Sequence, residues 1–347
     1  MTGAERLMAA CRGQSVDATP VWFMRQSGGS LPAYLAMREH HSVLEIARSP
    51  ELCAEVTVGA AEALGTDGAV LFADIMLPVE AMGVALTLTA TGPVIERPIR
   101  TAADVAALRP IDPVADLGFV LDAIRLAREA LEGRAALIGL AGGPFTVAAY
   151  LIEGGPSRDQ MAARRLALAE PELWTALMDR LTEATVAYVT AQVGAGAEVI
   201  QLFDSWAGNL AAADYDRLVA PWSMRILDAV RATGAPVIHY AANGANLLER
   251  LAVGADVVSV DAAQSLAGAR SRLGDRQPVQ GNLDPARLLA GWSPIADGVE
   301  TVLRGNGGRP GHIFNTGHAV PRETPTACLR DVVDLVHQRT ARIGVPA

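Results

Sequence analysis

Eight short apolar runs, each ending in polar residues, constrain the fold of this chain more than any other feature. They are PVWFM (20–24), GAVLFAD (68–74), AALIGLAG (135–142), EVIQLFDS (198–205), PVIHYA (236–241), VVSVD (257–261), PVQGNLD (278–284) and HIFNTGH (312–318). The runs are continuously apolar rather than alternating, which is typical of parallel strands covered on both faces. They predict eight buried parallel strands.

Stretches with helical spacing separate these runs, for example 50–65, 117–133 and 171–196. Several open with Ser-Pro or Pro-Glu and close on Gly, which are helix start and stop signals. Strands alternating with helices predict an α/β fold, a single (β/α)8 TIM barrel. The chain of 347 residues has a normal length for one such domain, so we expect residues 1–347 to form a single domain.

The segment 76–110 breaks this alternation. Its alternating apolar residues and a Thr-Gly-Pro turn (91–93) predict a hairpin inserted after the second strand.

The composition limits which cellular compartment and which classes of binding partner we expect for this protein. The net charge of −9 disfavours nucleic acid and anionic membranes as partners. No apolar run reaches the roughly 20 residues that cross a bilayer, and the N-terminal residues lack a secretory pattern. The cysteines, Cys11, Cys53 and Cys328, are odd in number and far apart, which fits a reducing compartment better than a disulfide framework. We therefore expect a cytoplasmic protein.

In a barrel the working residues lie at the carboxyl ends of the strands. The sequence places polar groups there after almost every predicted strand: Arg25, Asp74, a Gly-Gly-Pro turn (142–144), Asp204, Ser205, Tyr240, Asn243, Asp261, Asn282, Asp284, Asn315 and His318. Asp residues after strands also form helix caps and turns. We interpret Asp204, Asp261 and Asp284 in that way, and His239 as a core or wall residue inside its strand.

Two of these residues, Arg25 and Asp74, each allow two interpretations. Arg25 either closes the barrel mouth in a salt bridge or binds an anionic group of a substrate. Asp74 either caps a helix or acts as a functional carboxylate.

Motifs for common cofactors are missing from the sequence. The glycine-rich segments 194–199 and 305–311 precede strands, whereas a dinucleotide-binding loop follows a strand and opens a helix. No P-loop, H-E-x-x-H or C-x-x-C pattern occurs. We therefore expect chemistry without a nucleotide, a metal or another cofactor.

Six phrases, in order, resemble the uroporphyrinogen decarboxylase family. They are PVWFMRQSGGSLPAY (20–34), LFADIMLPVEAMG (71–83), GLAGGPFTVAAYLIEGG (139–155), QLFDSWAG (201–208), VQGNLDP (279–285) and HIFNTGHAVPRETP (312–325). The resemblance runs from about residue 5 to the C-terminus. It implies a distorted TIM barrel, usually a homodimer, that removes carboxyl groups from the four acetate side chains of uroporphyrinogen and yields coproporphyrinogen without a cofactor.

The resemblance also implies roles for individual residues. Arg25 corresponds to a carboxylate-binding arginine and candidate proton donor, with Gln26 beside it among the substrate-binding residues. Arg38 corresponds to a second arginine of the cleft, and Asp74 to the carboxylate that accepts hydrogen bonds from pyrrole N–H groups. A last set is implied to contact substrate carboxylates: Tyr150, Ser205 and His318. Arg25, Asp74, Tyr150 and His318 form the implied catalytic set.

The chain departs from the family pattern at a signature arginine that contacts a carboxylate, where it has Gly29. Three hypotheses follow: another basic residue substitutes, the substrate differs, or decarboxylation has been lost. The alternative functions are a corrinoid or thiol methyltransferase of the same superfamily and a tetrapyrrole-binding protein without activity. The methyltransferases carry a His-x-Cys pair where this chain has His239-Tyr240-Ala241. We also expect Gly29→Arg to improve affinity for uroporphyrinogen if the site is only weakened.

Overall fold

The computed structural model describes residues 1–29, 31–89 and 92–342. Nine strands occur in these ranges: β1 (Gly68–Val70), β2 (Leu86–Thr89), β3 (Gly92–Ile95), β4 (Ala136–Gly142), β5 (Val199–Phe203), β6 (Val237–Tyr240), β7 (Val257–Ser259), β8 (Val279–Gln280) and β9 (His312–Ile313). Seven of them form one parallel sheet in the order β1-β4-β5-β6-β7-β8-β9. Each neighbour in this sheet is the next parallel strand along the chain, so the sheet curls in one direction as the first part of a barrel wall does.

Helices connect the strands and cover the outer face of the sheet. The bounds are α1 (Gly3–Cys11), α2 (Pro32–Arg38), α3 (Val43–Arg48), α4 (Pro50–Leu64), α5 (Leu77–Ala81), α6 (Ala102–Ala106), α7 (Pro113–Leu131), α8 (Pro144–Glu153), α9 (Met161–Ala169), α10 (Pro171–Ala195), α11 (Ala212–Leu218), α12 (Ala220–Ala232), α13 (Leu248–Ala252), α14 (Leu266–Leu273), α15 (Trp292–Asn306) and α16 (Thr326–Thr340). Short 3₁₀ helices span Ala207–Asn209, Gly244–Leu247 and Pro285–Leu289.

The ends of α4 show why the sequence predicted its helices well. The Ser49 hydroxyl accepts the N–H of Leu52, and Pro50 occupies the first turn, where no N–H partner is needed. At the other end Gly65 adopts a φ of 69°, which ends the helix at no side-chain cost. The predicted helices over 117–133 and 171–196 are likewise confirmed as α7 and α10.

The first predicted strand, 20–24, is not a regular strand. Val21 forms only an isolated parallel bridge with Phe314. The Trp22 N–H donates to the Phe314 carbonyl oxygen at 3.2 Å, and the Asp67 N–H donates to the Val21 carbonyl oxygen at 2.8 Å. A carboxylate interrupts the ladder here, because Asp67 Oδ2 accepts the Val21 N–H at 2.7 Å. The segment nevertheless bonds to the chain on both sides, next to β9 and before β1.

Strands β2 and β3 form a separate antiparallel pair, with Leu86 opposite Ile95 and Thr89 opposite Gly92. The N–H of Ile95 donates to the carbonyl oxygen of Gly154 at 2.9 Å, which fastens this pair to the end of α8. Of the predicted Thr-Gly-Pro turn, Gly92 and Pro93 belong to β3, and Thr91 lies outside the described residues.

Helix α1 covers the amino-terminal end of the parallel sheet. Its buried Leu7 and Ala10 belong to one apolar cluster with Trp22, Val70 and Ile138. No helix in the described ranges is both long enough and apolar enough to span a membrane.

Candidate active site

Arg25 lies in a tight turn after the first apolar run. Its φ of 65° is in the left-handed region, which non-glycine residues adopt rarely. Gln26 holds this turn: its Oε1 accepts the Phe23 N–H at 2.9 Å, and its Nε2 donates to the Gly68 carbonyl oxygen at 2.8 Å. The turn presents the exposed Arg25 guanidinium at the carboxyl-terminal end of the parallel strands, which is called the mouth below.

Gln26 itself does not face the mouth. Its side chain is 1% exposed, and backbone groups on two segments use both ends of its amide. The structure places the Gln26 side chain behind Arg25, inside the wall, and the substrate contact of Gln26 stays a prediction.

Asp74 follows β1 and is half-buried at the same mouth. Its Oδ1 accepts the Met76 N–H at 2.8 Å in the turn before α5, whose N-cap residue is Met76 rather than Asp74. Among the described residues no donor reaches its Oδ2, which leaves that oxygen for another partner. Burial raises the pKa of Asp74, while the Met76 N–H and the charge of Arg25 act in the opposite direction.

The charge of Arg25 shows which side chains the fold brings together. It opposes the rise in pKa that burial causes for Asp74, Tyr150 and Tyr240, and it adds to the fall in the pKa of His318. Interactions of this kind act only over short distances in a protein. Arg25, Asp74, Tyr150 and His318 therefore form one cluster, although they come from four separate segments.

Tyr150 lies on α8 and stacks on Trp206, with ring centroids 4.2 Å apart and an interplanar angle of 34°. Burial is the main cause that raises the pKa of Tyr150, and the charge of Asp74 adds to it. The phenol therefore stays protonated and can donate a hydrogen bond. Ser205 precedes Trp206 and is half-buried on the same wall.

Asp204 fixes this wall from behind. Its Oδ1 accepts the Thr146 N–H at 3.0 Å and the Thr146 hydroxyl at 2.8 Å, and Thr146 Oγ1 in turn accepts the Trp206 N–H at 3.0 Å. Asp204 thus caps α8 from another strand, as the capping interpretation predicted. Sequence reasoning did not find its unusual state: burial raises the pKa of Asp204 to about 6, and its Oδ2 has no hydrogen-bond partner among the described residues.

His318 follows β9 and is exposed at the mouth. Its Nδ1 accepts the N–H of Ala319 at 2.7 Å, and its ring meets Tyr240 edge-on with centroids 6.4 Å apart. Partial loss of hydration is the first cause that lowers the pKa of His318, and the charge of Arg25 is the second. With Nδ1 accepting, the neutral ring carries its proton on Nε2 as a donor.

Arg38 does not join the cluster. Its guanidinium donates to the carbonyl oxygen of His41, and its charge acts on Glu45 rather than on Asp74. Helix α2, which carries Arg38, is nevertheless linked to the mouth through Tyr34, whose ring centroid lies 5.5 Å from that of Phe72.

Other rim residues serve the backbone, as predicted. Asp261 accepts the N–H groups of Gly244 at 2.7 Å and Ala263 at 2.9 Å. Asp284 caps the 3₁₀ helix Pro285–Leu289. His239 is buried in β6, where its Nδ1 lies 3.1 Å from the Leu251 carbonyl oxygen and burial lowers its pKa to about 4. In the described ranges no three His, Cys, Asp or Glu side chains group closely enough to hold a metal ion.

Comparison with known proteins identifies the family. A family model described as uroporphyrinogen decarboxylase (URO-D) matches residues 2–339. The chain belongs to the uroporphyrinogen decarboxylase family. The uroporphyrinogen decarboxylase of Syntrophotalea carbinolica is 47% identical over 332 residues, covering 95% of this chain and 96% of that protein. The one of Thermus thermophilus is 46% identical and covers 96% and 98% of the two chains. The resemblance drawn from the six phrases is confirmed.

Solved structures agree on the fold. A methyltransferase from Methanosarcina mazei superposes with a TM-score of 0.84 at 22% identity, covering 98% of this chain and 99% of that chain. A putative vitamin-B12-independent methionine synthase from Listeria monocytogenes gives a TM-score of 0.57 at 11% identity, with coverage of 95% and 98%. At these identities the likeness concerns architecture alone.

Proposed function

We propose that this protein is a carboxy-lyase that decarboxylates the four acetate side chains of uroporphyrinogen III, giving coproporphyrinogen III in haem and porphyrin biosynthesis, and that it does so without a cofactor. Its membership of the uroporphyrinogen decarboxylase family supports this. The observation that carries the proposal is the half-buried Asp74, with Oδ2 uncommitted among the described residues, grouped with Arg25, Tyr150 and His318 at the mouth.

The proposed chemistry uses the pyrrole ring as an electron sink. Protonation of the ring carbon beside an acetate gives a cation, the bond to the carboxylate breaks, and its electron pair returns to the ring as CO2 leaves. A proton then reaches the exocyclic carbon and one leaves the ring, so that each cycle converts CH2–COO⁻ and H⁺ into CH3 and CO2. Asp74 accepts pyrrole N–H groups and stabilises the cation, because a preorganised carboxylate opposes a developing positive charge.

The remaining residues bind and orient carboxylates in this proposal. Arg25 holds the reacting acetate through its planar fork and is the candidate proton donor. Tyr150, Ser205 and the Nε2–H of His318 donate to other carboxylates. Arg38, which lies apart from the cluster, would join only when α2 moves toward bound substrate. Gln26 positions Arg25 through its bonds to Phe23 and Gly68.

The proposed architecture is a single closed, distorted (β/α)8 barrel with the β2–β3 pair as an insertion. The hydrogen bonds of residues 20–22 to Phe314 on one side and Asp67 on the other support closure. We propose a cytoplasmic homodimer without nucleic-acid or membrane partners, in line with the net charge of −9. Sedimentation equilibrium of the purified chain tests the dimer.

The deciding experiment is anaerobic incubation with uroporphyrinogen III, followed by oxidation of the products and separation by carboxyl number. The proposal predicts stepwise appearance of porphyrins with seven, six, five and four carboxyl groups. A folded protein that leaves the substrate unchanged but binds it is a tetrapyrrole-binding relative, and the proposed reaction is then wrong.

A further inference from the structure

Two turns meet at the mouth beside the Arg25 cluster. Gly29 has a φ of 68°, and a Cβ placed there would lie 3.5 Å from both the Cα and the carbonyl oxygen of Arg322. The segment bearing Arg322 is also tied to the arginine turn, since the Val320 N–H donates to the Met24 carbonyl oxygen at 3.0 Å. Arg322 therefore lies next to the turn that presents Arg25, with no side chain at position 29 between them.

The charge of Arg322 is available to an anion. Arg322 is exposed, and within the part of the chain that the structure describes no carboxylate pairs with it. Exposed arginines elsewhere do form such pairs, as Arg309 does with Asp275 at 2.6 Å. All 29 basic residues of the chain are arginines, so each cation at the mouth can grip a carboxylate with two parallel hydrogen bonds.

The proposed substrate needs more cations than the cluster supplies. Uroporphyrinogen carries four acetate and four propionate groups, and only one acetate reacts at a time. We propose that Arg322 binds one of the non-reacting carboxylates at the rim and so sets specificity for highly carboxylated substrates; this rests on the proposed function. It also answers the sequence question raised by Gly29: the basic residue that substitutes comes from the facing turn.

The test compares Arg322→Gln and Arg322→Lys with the natural chain under the anaerobic assay. A rim contact of this strength should raise KM for uroporphyrinogen about three- to tenfold in Arg322→Gln, with kcat changed less than twofold. Arg322→Lys, which keeps the charge, should recover most of the KM. Higher salt should raise KM of the natural chain more than that of Arg322→Gln.

Arg276→Gln is the matched control, since Arg276 is exposed before β8, at the opposite end of the barrel. Arg322 is not a specificity residue if Arg322→Gln and Arg276→Gln share the same KM. A circular dichroism melt confirms that each variant is folded.

A second measurement separates this inference from the proposed function. If the natural chain shows no turnover, the proposed function fails, and quenching of intrinsic fluorescence by the octacarboxylate uroporphyrin still tests Arg322. A three- to tenfold weaker Kd in Arg322→Gln alone then supports the rim contact. Equal Kd values for all variants overturn it.

Discussion

The two carboxylate oxygens of Asp74 differ in their hydrogen bonds. Oδ1 is held by the Met76 N–H, which fixes the carboxylate plane, whereas Oδ2 has no donor among the described residues. Burial raises the pKa of Asp74, and the Met76 N–H and the charge of Arg25 act against that rise. Asp74 thus bonds within a turn rather than capping α5, and its role as a functional carboxylate stays a prediction.

Asp74→Asn should lower kcat for uroporphyrinogen about 10²–10³-fold, because an amide provides only half of the acceptor capacity and no charge to oppose the pyrrole cation. Folding should persist, since an amide oxygen still accepts the Met76 N–H. Steady-state kinetics beside a thermal melt measure both. Asp284→Asn is the control, as Asn caps a helix as well as Asp. Retention of a tenth of the natural kcat would contradict the role of Asp74.

Asp204 makes stability depend on pH in an unusual direction. Its pKa is raised to about 6 by burial, so the folded protein binds this proton more tightly than the unfolded chain does. Unfolding then releases a proton between about pH 4 and pH 6, and the contribution of Asp204 to stability falls as pH rises through that range. Above about pH 6 the ionised Asp204 carboxylate lowers the free energy of unfolding by its full amount.

Asp204→Asn removes this titration. The free energy of unfolding of the variant, relative to the natural chain, should therefore rise by up to about 3 kcal/mol between pH 4 and pH 7. Urea unfolding at several pH values measures the difference, which cancels the other titrating groups. Parallel pH profiles for the two proteins would mean that the carboxyl is ionised when folded.

Residue types after strands, together with the resemblance, were enough to predict Arg25, Asp74, Tyr150 and His318 as one cluster. They did not predict the bonds that Gln26 and Arg38 make. The bonds of Gln26 to Phe23 and Gly68, and of Arg38 to His41, arise from turns whose geometry no local pattern encodes. Sequence position alone cannot tell a residue in the wall from one that faces the cleft.

At the scale of elements, the apolar runs predicted where strands lie better than where they end. Seven of the eight runs contain a strand of the parallel sheet, but the run 68–74 yields only Gly68–Val70. Its last residues leave the sheet, and the Ala73 N–H bonds back to the Leu71 carbonyl oxygen at 3.0 Å. The polar ends of the runs are turns that carry the candidate site. From sequence alone, such a turn cannot be told from a continuation of the strand before it.

Gly143 sets how closely α8 approaches β5. Its φ of −67° is accessible to any residue, but a Cβ there would lie 2.3 Å from Asp204 Cβ and 2.6 Å from its Cα. Gly143→Ala should therefore destabilise the protein by about 1–3 kcal/mol through overpacking and lower kcat, because α8 carries Tyr150. Urea unfolding and kinetics measure both effects.

Gly194→Ala is the matched control for that change. Gly194 lies in α10 with open space around its Cα, so the added methyl should stabilise the helix by about 0.5–1 kcal/mol. If both substitutions stabilise the protein, α8 is not held tightly against Asp204, and the inferred rigidity of the Tyr150 wall is wrong.

At the scale of the whole molecule, the first and last helices, α1 and α16, meet at the amino-terminal end of the parallel sheet, away from the Arg25 cluster. Buried Asp67 receives the Val21 N–H at 2.7 Å, Arg6 of α1 at 2.5 Å, and the imidazole of His337 of α16 at 2.8 Å. One carboxylate thus joins the first helix, the last helix and the irregular first strand. No sequence pattern predicted this hub, because its members are up to 331 residues apart (337 − 6).

Asp67→Ala should therefore lower the free energy of unfolding by about 1–3 kcal/mol, since it leaves the buried Val21 N–H and Nη1 of Arg6 without their acceptor, although Asp17 still pairs with Arg6. The folded fraction should keep its kcat, because the site lies at the opposite end of the strands. Urea unfolding beside initial rates tests this, with Asp275→Ala as control: its pair with Arg309 is exposed and should contribute far less. Equal unfolding midpoints for the two variants would show that α1 and α16 are held by apolar packing alone. A large loss of kcat in folded Asp67→Ala would show that the bonds of Asp67 shape the opposite end of the sheet.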